Sequence, residues 1–250
     1  MEEFAHIAPY YESLFPARKP QVDFLEQALP KKAPARWVDI ACGTGQQLEA
    51  LHNRGREVWG LDLDAAMLSG LHTRRPDLMD RAVLGDMREA DRLLKELLDG
   101  PAGVVYCIGN SLVQLVEDAK IVDALNAFAG LLAPAGALCV QIVNFDRVLD
   151  GGMSTLKPLE RTLGDGSSFI LERRFDPSSE EGRVIFRTRL TTSDGMDERA
   201  REIRALRKET LSSLLEEAGF GSPAWFGDYD GSPWKPDSPA TIVRAIRMEG

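Results

Sequence analysis

Hydrophobic and polar positions follow one rhythm through roughly the first 145 residues of this 250-residue chain and another after them. In the first part, short apolar runs alternate with segments whose apolar residues recur every three or four positions. The runs predict strands at Arg36 to Ala41, Val58 to Asp62, Arg81 to Leu84, Val104 to Ile108 and Ala137 to Asn144. Between them the pattern predicts helices Gln46 to Arg54, closed by Gly55, and Ala65 to Arg74, stopped before Pro76. Two more follow, Met87 to Leu98 and Glu117 to Leu132. Such a βαβ succession implies a parallel sheet with helices on both faces, whose ligand edge is the C-terminal end of the strands.

After Asn144 the period changes to two. The runs Ser168 to Phe175 and Val184 to Thr191, separated by the turn-rich Asp176-Pro177-Ser178-Ser179, and a further run near Arg201 to Lys208 predict a small inserted antiparallel sheet. In its middle strand Arg183, Ile185, Arg187 and Arg189 share one face, and Val184, Phe186, Thr188 and Leu190 the other. A basic face can meet an anionic substrate, but its ordinary role is to be solvated. A helix Thr210 to Ala218, ended by Gly219, and strands around Ala224 to Phe226 and Thr241 to Arg247 finish the chain.

The chemistry is concentrated where the first strand ends. Val38-Asp39-Ile40-Ala41-Cys42-Gly43-Thr44-Gly45-Gln46-Gln47 reads as strand, glycine turn and helix, and Asp62 ends the second strand 19 positions after Gly43. That unit brings a backbone turn and a carboxylate to one sheet edge, as nucleoside-binding α/β folds do. A dinucleotide fingerprint wants a third small residue where Leu48 stands, and Asp39 beside the turn would repel a pyrophosphate. A cofactor carrying an ammonium and a sulfonium suits the same acid.

On these residues the chain resembles the class I S-adenosylmethionine-dependent methyltransferases, whose first motif, D-x-x-C-G-T-G, stands here as Asp39 to Gly45, with Ala41 in place of a first glycine. The resemblance runs motif by motif over about the first 150 residues and in outline after them. It implies an α/β fold with a seven-stranded Rossmann-like sheet, helices on both faces and the inserted antiparallel sheet. Residues 1–150 would form an N-terminal cap and S-adenosylmethionine-binding core, 151–208 a lid or substrate subdomain, and 209–250 a helix and strand hairpin completing the core.

The resemblance also distributes roles. Ala41, Cys42, Gly43 and Gly45 would shape the cofactor turn with Asp39 behind it, and a tyrosine of an N-terminal helix, Phe4 to Leu14, would cover it, Tyr11 or Tyr10. Asp62 takes the ribose hydroxyls with Leu63 beside it, whereas Asp64 stands where a helix N-cap would. Asp86 falls near the adenine amino group and Met87 against the ring, although Asp86 and Glu89 also have the spacing of a capping box. Ile108, Asn110 and Ser111 follow the fourth strand, and Cys107-Ile108-Gly109-Asn110-Ser111 resembles the glycine and sarcosine N-methyltransferase branch. On that likeness Asn110 is the catalytic candidate, orienting an amine or hydroxyl, with Gln114 and Asn144 on the substrate side. That branch has a histidine where Gln114 stands and a carboxylate-binding arginine where Val143 stands, which argues against glycine itself as substrate. Trp225, Phe226, Tyr229 and Trp234 either line an acceptor pocket or pack the terminal strands.

Composition narrows the rest. Hydrophobic residues make up 44% of the chain, enough for a real core, and a net charge of -9 counts against a nucleic-acid partner. The apolar stretch Ala127 to Val143 is broken by Pro134 and Gly136, unlike a membrane span, and Met1-Glu2-Glu3 is acidic where a signal peptide is basic, so a cytoplasmic enzyme is expected. Cys42, Cys107 and Cys139 read as buried thiols, and neither they nor His6, His52 and His72 offer a metal site or a general base. The expected activity is methyl transfer from S-adenosylmethionine to a nitrogen or oxygen of a small molecule. A binding module without catalysis is the alternative, and a nicotinamide-dependent oxidoreductase the third reading.

Overall fold

The computed structural model describes residues 7–164 and 166–248. Positions 4 to 6 of the expected N-terminal helix, His6 among them, lie outside the described residues. The described part is a turn, Ala8–Tyr10, running into a short helix α1 (Tyr11–Leu14).

The core is one seven-stranded sheet built from β1 (Arg36–Ile40), β2 (Glu57–Asp62), β3 (Ala82–Leu84), β4 (Ala102–Cys107), β5 (Leu132–Val143), β10 (Phe220–Phe226) and β11 (Ala240–Arg247). Its order is β10-β11-β5-β4-β1-β2-β3. The first five strands run parallel, and β11 lies antiparallel to both β5 and β10. Chain order reverses between β1 and β4, and in open α/β sheets the ligand crevice lies at such a point, beyond the C-terminal strand ends. β1 and β4 are buried along their whole length, so both faces must be covered. α3 (Gln46–His52), α4 (Ala65–Arg74) and α6 (Asp118–Leu131) do most of that covering, with Leu48, Leu51, Leu71, Ile121, Leu125 and Phe128 fully buried.

Three expectations shift in detail. The helix Met87 to Leu98 is a turn, Met87–Glu89, followed by α5 (Ala90–Leu94), because Glu89 leaves helical geometry (φ -115°, ψ 15°). The turn at Pro134 and Gly136 is present but held inside β5 as a bulge: Ala102 pairs with Leu132, and Val104 with Ala137. α2 (Lys19–Gln27) and α7 (Phe145–Leu149), too short to show a clear period, add to the plan.

The second sheet holds β6 (Thr155–Thr162), β7 (Ser168–Pro177), β8 (Arg183–Thr192) and β9 (Gly195–Arg204) in sequential antiparallel order, and α8 (Lys208–Glu217) returns the chain to the core. β9 begins well before the expected run near Arg201, since Asp197-Glu198-Arg199-Ala200-Arg201-Glu202 is charged on both faces and hides its period. The arginines of β8 face outward into carboxylates: Arg183 meets Glu202 at 3.1 Å, Arg187 meets Asp176 at 2.5 Å and Arg189 meets Glu198 at 2.8 Å. The basic face is thus a neutralised, half-exposed ladder whose pairs each add little stability.

The opposite face attaches this sheet to the body at its two ends. Phe169, Leu171 and Leu190 pack with Ile7, Leu14 and Met67, while Phe175, Val184 and Ile203 join the main core through Phe145. Among the described residues, no helix is long and apolar enough to cross a membrane.

Gly103 in β4 is a close approach with no slack. A Cβ there would strike the Pro34 carbonyl oxygen and lie 2.6 Å from Leu29 Cδ1. Gly103→Ala is expected to destabilise the fold by about 1–3 kcal/mol, the usual overpacking range. Urea midpoints check this, and an unchanged midpoint would refute the packing assignment.

Candidate functional site

β1 ends in an alternation of left-handed residues, Ala41 (φ 59°), Gly43 (φ 57°) and Gly45 (φ 71°), which turns the chain sharply into α3. Glycine is required at the last of these twice over, because a Cβ on Gly45 would also sit 2.8 Å from both methyls of Leu71. Ala41 accepts the same conformation at a cost of about 1–2 kcal/mol. The turn is pinned to β2 by the Cys42 amide donating to the Leu61 carbonyl at 3.0 Å.

Two carboxylates flank it. Asp62 accepts from the Gly43 amide at 2.6 Å and from the Asp64 amide at 2.8 Å, one bond on each oxygen, which fixes its orientation at the mouth of the crevice. Asp64 instead caps α4, accepting from the Ala66 amide at 2.9 Å. Asp39 is 2% exposed and in register with Tyr106 of β4. Its Oδ2 is buried with the Tyr106 hydroxyl as its one polar neighbour, in a loose pairing outside ideal hydrogen-bond geometry, and the Thr44 hydroxyl is buried with no hydrogen-bond partner. Burial raises the pKa of Asp39 well above the ordinary 3.8, with the nearby phenol offsetting part of the rise and the charge of Asp62 adding to it. Burial also raises Asp62, against the pull of its two backbone donors. The Cys42 thiol, buried beside both acids, is pushed up and stays protonated.

Tyr11 roofs the turn, its ring 3.4 Å from where a Gly43 Cβ would be. Burial, then Asp62 and Asp39, push its phenol well above the usual range, so it remains a hydrogen-bond donor. Tyr10 turns the other way and packs on Phe169 at 4.6 Å. Leu63 stands 66% exposed after Asp62, and Met87 is half-buried. The Asp86 carboxylate caps its own turn through the Arg88 amide at 2.9 Å and pairs with the Arg88 guanidinium at 2.6 Å, while Glu89 bonds Arg92 instead of closing a capping box.

At the end of β4, Gly109 (φ 81°) and Asn110 (φ 68°) form a left-handed corner. Gln141 of β5 holds it: its side chain accepts from the Gly109 amide at 2.8 Å and its carbonyl from the Asn110 amide at 3.3 Å. Asn110 Oδ1 accepts from the Val143 amide at 3.0 Å. Because that partner is a donor, the amide's orientation is settled, and Nδ2 is the end left for a ligand. Ile108 is buried at the base of this corner, and the Ser111 hydroxyl donates back to the Ile108 carbonyl at 3.2 Å. Gln114 faces the second sheet, where its Oε1 accepts from Arg201 at 3.2 Å.

One expected substrate residue is corrected. Asn144 is fully buried, and its amide donates to the carbonyls of Lys235, Pro236 and Ser238 at 3.0–3.3 Å while its oxygen caps α7, so it anchors a loop and does not face an acceptor. The aromatic group divides. Trp225 and Trp234 flank Lys208 at 5.0 and 5.2 Å, and Phe226 packs on Phe24, all structural contacts. Tyr229, also packed on Phe24, donates to the Gln141 side chain at 3.3 Å and so supports the Asn110 corner. Gln141 and Arg201 are the site residues that sequence reasoning missed; the alternation of their strands was the one available signal. Among the described residues, no cluster of His, Cys, Asp and Glu could hold a metal ion.

Comparisons with known proteins bear on the family and the fold. Residues 38–136 match a family described as a methyltransferase domain. The chain is 28% identical to a glycine/sarcosine N-methyltransferase of Halorhodospira halochloris over 219 residues, 84% of this chain and 75% of the relative. A S-adenosylmethionine-dependent methyltransferase structure from Clostridium acetobutylicum ATCC 824 superposes with a TM-score of 0.75 over 99% of both chains at 17% identity. CalS10, an amino pentose methyltransferase from Micromonospora echinaspora solved with bound SAM, gives 0.67 at 23% identity, covering 97% of this chain and 96% of that one.

The raised pKa of Asp39 has a sign that can be tested. Between the unfolded value near 3.8 and its higher folded value, the native state keeps a proton that the unfolded chain has released. Stability without ligand therefore falls as pH rises through that window. Asp39→Asn is expected to unfold at higher urea than the parent at pH 8 and to flatten this decline; a parent as stable as the variant at pH 8 would contradict the assignment.

Proposed function

Because the chain belongs to the class I S-adenosylmethionine-dependent methyltransferases, we propose that it methylates an amine nitrogen of a small molecule, with the second sheet as the lid that selects the acceptor. The buried carboxylate of Asp39 behind a glycine turn, paired with no cation among the described residues, is the observation that carries the cofactor half of this reading. It fits an ammonium and a sulfonium and opposes a pyrophosphate, which, with Leu48 in α3, disfavours a dinucleotide. S-adenosylmethionine supplies a methyl group already activated on its sulfonium.

The residues then divide the work. Asp62 takes the ribose hydroxyls on the lone pairs its backbone donors leave free, and Leu63 and Met87 hold the adenine, with Asp86 at its amino edge. Asp39, Tyr11 and the amides between Ala41 and Gly45 hold the methionine end, and Ile108, Asn110 and Ser111 border the transferred methyl. Asn110 fixes the acceptor by donating from Nδ2, and Gln114 contributes through Arg201. Alignment with water excluded is what the protein must add, a contribution of roughly 7–11 kcal/mol in favourable cases. A base is needed only for an acceptor that arrives protonated. The nitrogen preference is supported by the names of relatives, one acting on glycine and sarcosine and one on an amino pentose. Three buried thiols suit a reducing cytoplasm, and the net charge of -9 suits a small acceptor better than a nucleic acid.

Calorimetric titration with S-adenosylmethionine, S-adenosylhomocysteine and NAD tests the core of this. The first two are expected to bind and NAD not to, with Asp62→Ala weakening both by at least about tenfold, the loss of one charge-assisted hydrogen bond. Equal binding by Asp62→Ala would remove its ribose role, and binding of NAD alone would replace the cofactor.

A further inference from the structure

The only side-chain oxygens in the two buried central strands, β1 and β4, belong to Asp39 and Tyr106. They stand opposite each other in the parallel register, on one face of the sheet, and both are buried. A phenol in such a place carries a hydroxyl that something has to meet. Trp37, two positions before Asp39 on the same face, shows the ordinary solution: its indole Nε1 donates to the Leu25 carbonyl at 3.0 Å. The Tyr106 hydroxyl has no such partner and meets only the Asp39 carboxyl, in a loose pairing.

Nothing around the pair compensates a negative charge. Asp62 faces it from β2, the Cys42 thiol from the turn and the Tyr11 phenol from the cap, none of them a source of positive charge, while Arg201 of β9 bears on Tyr11. No cation pairs with Asp39 among the described residues. A buried carboxylate without a counter-charge takes up a proton. Burial accordingly moves Asp39 toward its neutral form and keeps Tyr106 from ionising. Two neutral groups make the weaker kind of hydrogen bond, whereas a phenol donating to a carboxylate makes the shorter and stronger kind. The pair is therefore built to tighten when a cation reaches Asp39.

We propose that Tyr106 is a positioning residue that couples cofactor binding to the release of a proton from Asp39. In the ligand-free protein the Asp39 carboxyl is neutral. Beside the ammonium of the methionine end its O–H bond breaks, the electron pair stays on the carboxylate and the proton leaves for solvent. Tyr106 then turns its hydroxyl hydrogen onto the ionised oxygen. The ammonium keeps its own protons and stands in for the lost one as counter-charge, so the net charge of the buried site does not change. Tyr106 touches no ligand and acts through Asp39. This rests on the S-adenosylmethionine reading above and adds a proton to its binding equilibrium.

Calorimetry of the full chain with S-adenosylhomocysteine, in phosphate and in imidazole buffer at pH 6.5, reads the protons released from the difference in binding heat. The ligand's α-amine, with an ordinary pKa of about 8, is charged at that pH. Release of close to a full proton is expected, with affinity rising by up to about tenfold per pH unit until Asp39 ionises in the free protein. Asp39→Asn should bind more weakly, release no proton and show no such slope. Tyr106→Phe keeps the ring and removes a hydroxyl without a well-formed bond, so it should keep the parent's urea midpoint. It should nevertheless weaken binding by at least about tenfold, the effect of a hydrogen bond to a charged group, and move the slope to higher pH, which a packing role would not do. Carbon-13 NMR of the Asp39 carboxyl, assigned with Asp39→Asn, reads the same event in the parent alone: neutral when free at pH 6.5, ionised when loaded. Binding with no proton released, a carboxyl already ionised in the free protein, release that survives in Asp39→Asn, or a Tyr106→Phe whose affinity and pH profile match the parent would overturn the coupling and leave the cofactor assignment intact. A parent protein that binds no S-adenosylhomocysteine overturns that assignment, and the coupling with it.

Discussion

Two carboxylates held beside a glycine turn set the terms for everything around them. Asp39 and Asp62 come from adjacent parallel strands, and burial raises the pKa of both. Burying acids is unfavourable unless something meets them. Asp62 is met by two backbone amides, whereas Asp39 is met only by the phenol of Tyr106 and by no cation among the described residues. The protein thus carries a local electrostatic deficit that a cationic cofactor would relieve, and the residues nearby are neutral for the same reason. Cys42 and Tyr11 are both driven toward their protonated forms.

The second constraint is the way the lid is fastened. A four-stranded sheet with one apolar and one charged face must bury the former, and it does so at two separated patches. Between them the inner face is free to be polar. On the outer face every β8 arginine finds a carboxylate, so that surface is electrostatically satisfied and needs no ligand. Arg173, which meets no carboxylate among the described residues, is on the inner face.

A third element is the corner after β4. Asn110 does not hold its own conformation there: Gln141 supplies acceptors to two successive amides, Val143 supplies the donor that orients the side chain, and Tyr229 braces Gln141. These partners arrive from β5 and from the loop before β11. A candidate catalytic side chain is therefore positioned by the neighbouring strand and the loop before β11 as much as by its own strand.

The βαβ core, the glycine turn, the capping role of Asp64 and the presence of an inserted antiparallel sheet were all legible in the chain itself, because each is encoded by neighbours within some 25 residues. Strand alternation also told which arginines share a face. It did not tell which face would be turned inward: Arg183, Arg187 and Arg189 are on the outer face, and the inner face carries Arg173 and Arg201. Asn144 was misjudged for the same kind of reason, since the carbonyls that bind it are some 90 residues away. Local sequence determined the cofactor's chemistry, because backbone conformation and strand-end placement are short-range. The surroundings of Asn110 and of the second sheet's arginines were decided only by tertiary packing, which chooses the buried face of a sheet and brings distant groups together.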